Sequence, residues 1–381
     1  MSKLKQLLEE HGISQRQVAR SLGLSPAAVS AIVNHNKWPK RERPALKARV
    51  ETQLREAGVP EDQVRAAFAR KQAARRTAAK EDFMLLRRQG LFPETKRHFG
   101  LADDPFGEVQ SHEDVFLSNE IRYVREALFH TARHGGFMAV VGESGSGKST
   151  LRRDLIDRIQ REGSDVHVIE PYVLGMEDND KSGRTLKSLH IAEAIMATIA
   201  PLEKINGSPE ARFRQVHRVL RESRRAGHAH CLIIEEAHGI PITTIKHLKR
   251  FLELEDGFRK LISVILLGQT ELTHKLSESN HEVREVVQRC EMVTLGAMNG
   301  SLPDYVRFRF ARIGADVDKV IAPQAVEALR AKLTGPVSRS GAGDSVSLVY
   351  PLAVGNMVTA ALNLAADIGA PLVTADIINK V

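Results

Sequence analysis

Apolar and polar positions follow two regimes along this chain. Over residues 1–35 they recur with a helical period. Leu4, Leu7 and Leu8 open a short helix expected to end near Gly12. Ser14 then caps a helix running to Leu22, and Gly23 supplies a left-handed turn. Ser25 caps a second helix with Pro26 at its first position. Val18, Ala19, Leu22, Leu24, Val29 and Ile32 are the positions expected to pack between the helices, which predicts a helix-turn-helix. From residue 137 onward, short apolar runs alternate with helical patterns. The runs are Phe137–Val141, Val166–Val173, Cys231–Ile234, Leu261–Leu267 and Glu291–Leu295. Strands alternating with helices predict an α/β fold around a parallel sheet, with ligands bound beyond the carboxyl ends of the strands.

Polar motifs follow those runs. After the first comes Gly142, Glu143, Ser144, Gly145, Ser146, Gly147, Lys148, Ser149 and Thr150, which fits G-x-x-x-x-G-K-[ST] at every fixed position. An apolar run before it and an amphipathic stretch, Leu151–Ile159, after it supply the strand, loop and helix that a phosphate-binding loop requires. Lys148 is expected to reach the β- and γ-phosphates of a nucleotide, and the Ser149 hydroxyl to ligate Mg²⁺. Cys231–Ile234 ends in Glu235 and Glu236, resembling a Walker B segment. Glu235, where Asp is usual, is expected in the metal shell, and Glu236 in the place of the catalytic base. Gln269, with Thr270 second, follows the next run and is the candidate to contact the γ-phosphate or the attacking water. Arg289, ahead of the last run, is a candidate arginine finger for a neighbouring subunit's nucleotide, with a surface salt bridge as its other reading.

Charge divides the chain. Residues 1–100 carry 21 Lys and Arg against 10 Asp and Glu, a net of +11, while the remaining 281 carry 34 against 37, a net of −3. A polyanion partner for the N-terminal part is implied. Base edges would be met by the first turn of the second helix, where Pro26, Ala27 and Ala28 have no hydrogen-bonding side chains. Ser30 and Asn34 remain for contact, and Arg16, Arg20, Lys37, Lys40 and Arg41 are placed to meet phosphates, which predicts DNA binding with little sequence preference. In the core, Lys246, Lys249 and Arg250 share the outer side of a predicted helix and are the candidate DNA contacts, against a merely solvated face. Residues 66–100 read as a basic linker, and Gly335–Ser347 as a mobile loop. The two cysteines, Cys231 and Cys290, read as core thiols of a reducing cytosol. No run of about 18 apolar residues or secretion signal is present, so no membrane is expected.

Taken with Asp104-Pro105-Phe106, Leu267 to Leu272, Gln288-Arg289 and the helix Tyr305 to Ala315, these motifs make residues 100–381 resemble the AAA+ ATPases. More narrowly they resemble the subgroup of the phage Mu B protein, transposon target-selector ATPases and ExeA-type secretion ATPases. The resemblance implies a helix-turn-helix domain over 1–65, the linker over 66–100, an AAA+ core over 101–300 and a helical lid over 301–381. It implies ATP and Mg²⁺ as cofactors, double-stranded DNA and a DDE transposase as partners, and a homo-oligomeric filament or ring on DNA in the cytoplasm. The alternative is a hydrolysis-poor nucleotide-binding DNA adaptor or a transcriptional regulator. A nucleotide-sensing arginine, often expected near Val354-Gly355-Asn356, is missing.

Overall fold

The computed structural model describes residues 8, 11, 15–22, 24–35, 43–56, 59, 89–171, 186–277, 283–336 and 345–381. The chain divides into two units, Met1–Phe83 and Met84–Val381.

The first unit holds α1 (Gln15–Leu22), α2 (Pro26–His35) and α3 (Arg43–Glu56). The turn between α1 and α2 is closed by the Leu24 amide donating to the Ala19 carbonyl, and the Ser25 hydroxyl accepts from the Ala28 amide. That is the helix end and N-cap expected there. Val18, Ala19, Val29 and Ile32 are buried as expected, and Leu24 packs partly buried against them. The third helix was not anticipated. Leu46, Val50 and Leu54 recur every four residues, and all three are buried in the same core. Ser14, Gly23 and most of the linker lie outside the described residues.

The second unit is built on a five-stranded sheet of β1 (Phe137–Gly142), β2 (Val166–Ile169), β3 (Ala229–Ile234), β6 (Ser263–Gly268) and β7 (Cys290–Leu295). Their order is β2-β3-β6-β1-β7 and every pairing is parallel. A two-stranded hairpin, β4 (Glu255–Asp256) and β5 (Arg259–Lys260), precedes β6. Successive residues of β1 serve opposite faces. Phe137, Ala139 and Val141 pack toward α7 (Ser188–Ile199), α8 (Pro209–Arg225) and α9 (Ile242–Leu252). Met138 and Val140 pack toward α5 (Asn119–His134) and α6 (Lys148–Arg161). Helices on both faces explain why the central strands are continuous apolar runs instead of alternating ones. The expected strand Val166–Val173 stops at Ile169.

Two short helices, α10 (Glu271–Lys275) and α11 (Arg284–Val287), lie between β6 and β7. Beyond β7, α12 (Leu302–Ala311), α13 (Pro323–Leu333), α14 (Pro351–Asp367) and α15 (Ala375–Lys380) enclose their own core, including Phe310, Leu329 and Val358. The ends of the expected mobile loop pair as antiparallel strands, β8 (Thr334–Pro336) with β9 (Ser345–Ser347), and 337–344 lie outside the described residues. Residues 89–99, read from sequence as linker, include α4 (Pro93–Phe99) and lie along α14. Asn363 accepts from the Phe92 amide and the Thr95 hydroxyl and donates to the Gly90 carbonyl, and Asn356 accepts from the Gln89 amide. Among the described residues the architecture expected from sequence is therefore present: a parallel sheet covered by helices, a helical N-terminal unit, and C-terminal helices where the lid is expected.

Candidate functional site

β1 delivers Gly142 to the carboxyl edge of the sheet, and the loop after it enters α6 through Gly147 at φ +101°. Two glycines are required by close contact. A Cβ on Gly142 would lie 2.6 Å from Ser146 Oγ, and Gly145, at φ +78°, faces Leu352 of the lid. Lys148 folds back over the loop, donating to the carbonyls of Gly142 and Glu143 at 2.8 Å each. Burial pushes its pKa down, against the pull of the carboxylates of Glu236, Glu143, Glu235 and Glu271. Ser146 Oγ is buried with no hydrogen-bond partner. An orphaned hydroxyl, a buried ammonium and the N-terminus of a 14-residue helix on one loop fit a phosphate chain. Ser149 is exposed at the second residue of α6.

β3 carries the acidic pair to the same edge. Glu236 has φ +48° and ψ +36°, the one positive φ outside glycine among the described residues. Non-glycine residues in that region store strain, and such strain concentrates at functional sites. Its carboxylate lies 3.4 Å from His238 Nδ1 and 3.5 Å from the Gln269 amide nitrogen. Gln269 follows β6, the strand between β3 and β1, so its position is set by the strand order. Thr270 donates to Glu143 of the loop at 2.9 Å. The neighbouring Glu235 is not free: Arg152 Nε lies 3.2 Å from its carboxylate, and the same guanidinium also pairs with Glu170 after β2.

A cavity of about 680 Å³ opens beside Ser146 and Gly147, walled by Phe116, Ile121, Met298 and Tyr305. Its size and apolar lining suit the flat base and sugar of a nucleotide. The Asp104-Pro105-Phe106 motif docks on the C-terminal helices through two arginines. Buried Arg309 donates to the carbonyls of Pro105 at 2.7 Å and Gly107 at 2.5 Å, and Arg312 donates to those of Asp104 and Glu108. Phe106 packs over Gly355, where a Cβ would come within 3.2 Å of the ring.

Arg289 lies elsewhere. Phe137 is level with Cys290 and Gly142 with Leu295, so Arg289 sits at the opposite end of the sheet from the phosphate loop. Six steps along β7 separate Arg289 from the level of Gly142, roughly 20 Å. Arg289 pairs with Glu253 at 3.3 Å, and Lys249 pairs with Glu253 and Glu285. Lys246 and Arg250 are exposed on α9, whereas Lys249 is half-buried in these ion pairs. Of the expected row of three outward cations, Lys246 and Arg250 are thus exposed, and the middle one, Lys249, is held in ion pairs. In the first unit, Arg16 and Arg20 belong to α1, and Ser30 and Asn34 to α2. Lys37, Lys40 and Arg41 lie outside the described residues. Cys231 is buried, its thiol pKa pushed up to about 12, and Cys290 is only half-buried, also raised to about 12 by burial.

Arg152 and Glu170 are the site residues that motif reading passed over. Arg152 stands four residues after Lys148, on the same side of α6, a spacing that marks it as a neighbour of the phosphate-loop lysine, while its contact with the acids depends on β2 and β3 lying side by side.

Comparison with known proteins fits this geometry. Residues 131–276 match the family described as "AAA domain", and residues 4–43 match the family described as "Helix-turn-helix". The core is a P-loop AAA+ ATPase, an ATP-hydrolysing and nucleotide-binding fold, joined to an N-terminal helix-turn-helix. Among curated proteins the chain is similar to "General secretion pathway protein A" of Aeromonas hydrophila, 24% identical over 251 residues. That match covers 63% of this chain and 42% of the relative, so the chain spans less than half of the relative's length. Among solved structures it is similar to the Aeropyrum pernix ORC2 protein, at 16% identity and a TM-score of 0.49, over 76% of this chain and 72% of that one. It is also similar to the Thermotoga maritima RuvB Holliday junction branch migration motor, at 15% identity and a TM-score of 0.40, over 72% of each chain.

Proposed function

We propose that this chain is a DNA-associated ATPase switch that selects target DNA and delivers it to a DDE transposase, assembling as a helical filament or ring on DNA. The observation that carries the ATPase part is the meeting of three strand ends. Lys148 after β1, Glu236 after β3 and Gln269 after β6 gather at the carboxyl edge of the sheet, with the Glu236 backbone strained to φ +48°. Lys148 leaves the carbonyls of Gly142 and Glu143 for the β- and γ-phosphates, and the amides and hydroxyls of residues 142–150 hold the chain of phosphates. Ser149 and Glu235 would hold Mg²⁺, which when bound would neutralise phosphate charge. Glu236 takes the proton of the attacking water and Gln269 orients it.

Arg289 lies at the far end of the sheet from its own phosphate loop, so as a finger it would serve the nucleotide of a neighbouring copy. That geometry supports an oligomer. DNA contact is assigned to Ser30, Asn34 and the arginines of the helix-turn-helix, and to Lys246 and Arg250 on α9. The apolar first turn of α2, Pro26-Ala27-Ala28, favours broad over sequence-specific binding, as acceptance of almost any target requires. No helix among the described residues is long and apolar enough to cross a membrane, and the cytoplasm is the compartment in which the switch meets DNA.

A second reading, a nucleotide-binding adaptor with slow turnover, is favoured by one contact, the Arg152–Glu235 ion pair. Phosphate release measured with and without random-sequence duplex DNA separates the two, with electron microscopy of the same mixtures. DNA-stimulated turnover with ATP-dependent filaments, both lost in Lys148→Ala, supports the switch. Tight nucleotide-dependent DNA binding without turnover supports the adaptor. Transposase-dependent insertion into the bound DNA tests the delivery step.

A further inference from the structure

The contacts of Arg152 point to a role that neither the phosphate loop nor the acidic pair accounts for. Its guanidinium rises from the second turn of α6 and reaches two carboxylates at the ends of adjacent strands, Glu170 after β2 and Glu235 after β3. Ile169 is level with Leu232, so the two strand ends are neighbours. Arg152 Nε is buried and 3.2 Å from Glu235, yet it has no hydrogen-bond partner. The pairing is therefore electrostatic and poorly aligned, and its side chains are partly solvated, Arg152 22% and Glu235 35% exposed. Such a contact holds a carboxylate in place but yields to a stronger cation.

We infer that Arg152 is a positioning residue that acts as the counter-cation of Glu235 when no metal is bound, so that a divalent ion must displace it, and that Glu170 tunes this exchange by sharing the guanidinium. The inference rests on the proposed placement of Glu235 in the metal shell. Glutamate, one methylene longer than the usual aspartate, has the reach to turn between the guanidinium and a metal-bound water without moving β3. Glu170 gives the displaced Arg152 a partner to keep, which lowers the cost of releasing Glu235. The outcome is a raised metal requirement for nucleotide binding, adjustable in both directions.

The test is binding of a fluorescent ATP analogue to the full chain, titrated with Mg²⁺, with a parallel titration in EDTA. In Arg152→Gln the Mg²⁺ concentration for half-maximal binding falls about two- to fivefold, the range of a partly solvated ion pair. In Glu170→Gln, where Arg152 keeps only Glu235, it rises by a similar factor. Binding in EDTA stays the same in both. Equal Mg²⁺ requirements in wild type and both variants overturn the inference and leave the metal site standing. Shifts in the same direction in both variants, or equal losses with and without metal, overturn it in favour of a purely structural role. Wild-type binding that ignores Mg²⁺ overturns the metal placement of Glu235 itself, and this inference with it.

Discussion

Leu352, in the first turn of α14, donates its amide to the Gly145 carbonyl at 3.3 Å, and a Cβ on Gly145 would lie 2.4 Å from the Leu352 Cβ. The lid therefore rests on the apex of the phosphate loop through a contact only glycine permits. Gly145→Ala meets that clash and also the left-handed φ of +78°, which costs roughly 1–2 kcal/mol for other residues. Nucleotide affinity in this variant falls at least about tenfold in a fluorescence titration. Unchanged affinity would show that lid and loop part without consequence.

Lys148 and Glu236 separate binding from chemistry. Lys148→Ala removes the ammonium now held by two loop carbonyls, and nucleotide binding is lost. Glu236→Gln keeps the shape at φ +48° but removes the base, so binding persists while phosphate release slows by about 10²- to 10⁴-fold. A Glu236→Gln variant with normal turnover would move the base elsewhere, and His238, 3.4 Å away, is the first group to test.

Arg289 acts across a subunit boundary if it acts on nucleotide at all, because it lies at the far end of the sheet from its own loop. Arg289→Ala lowers turnover by about 10³-fold with little change in nucleotide affinity. Mixing Arg289→Ala with Lys148→Ala subunits restores part of the rate, since one partner supplies the loop and the other the finger. No recovery on mixing, together with turnover unaffected by Arg289→Ala alone, reduces Arg289 to the surface partner of Glu253.

Much of this was legible because it is local. The apolar runs that became β1, β3, β6 and β7, the G-x-x-x-x-G-K-S loop and the Ser25 cap are all written in consecutive residues. What could not be read depends on which strands become neighbours. The order β2-β3-β6-β1-β7 puts Gln269 beside Glu236, and no spacing along the chain encodes that neighbourhood, whereas the place of Arg289 at the other end of the sheet follows from its standing before its strand. Lys249 is a similar case. Helical spacing puts it on the outer side of α9, but Glu285, 36 residues later, neutralises it there. Asn356 and Asn363 read as unremarkable residues of an apolar helix until residues 89–95 fold back and use them.

That neutralisation decides which cations of α9 to test against DNA. Lys246 and Arg250 are exposed, so Lys246→Glu with Arg250→Glu weakens binding to random duplex DNA and lowers the salt slope of the binding constant by about 2. Lys249→Gln, whose charge is already met by Glu253 and Glu285, changes that slope much less. Equal slopes for wild type and the double variant, measured by fluorescence anisotropy over a salt series, would remove α9 from the DNA path.

His230 links stability to pH. It is buried, with Nδ1 2.7 Å from the Leu261 carbonyl and Nε2 2.8 Å from the Ser223 hydroxyl. Both contacts are satisfied by a neutral ring, Nδ1–H donating and Nε2 accepting, and burial pushes the pKa down from 6.5 to about 4. His167, stacked 6.0 Å away, is lowered as well, by burial and by His228. The unfolded chain therefore takes up protons that the folded chain refuses. The stabilisation is complete above pH 6.5 and is lost progressively as pH falls toward 4, by at most about 3 kcal/mol from His230. Melting temperatures of the wild type hold between pH 7.5 and 6.5 and fall from there to pH 5, and His230→Asn, which does not titrate, flattens that fall while starting from a lower melting temperature. A variant with the wild-type pH slope would place the titrating group elsewhere, with His167 next to be substituted.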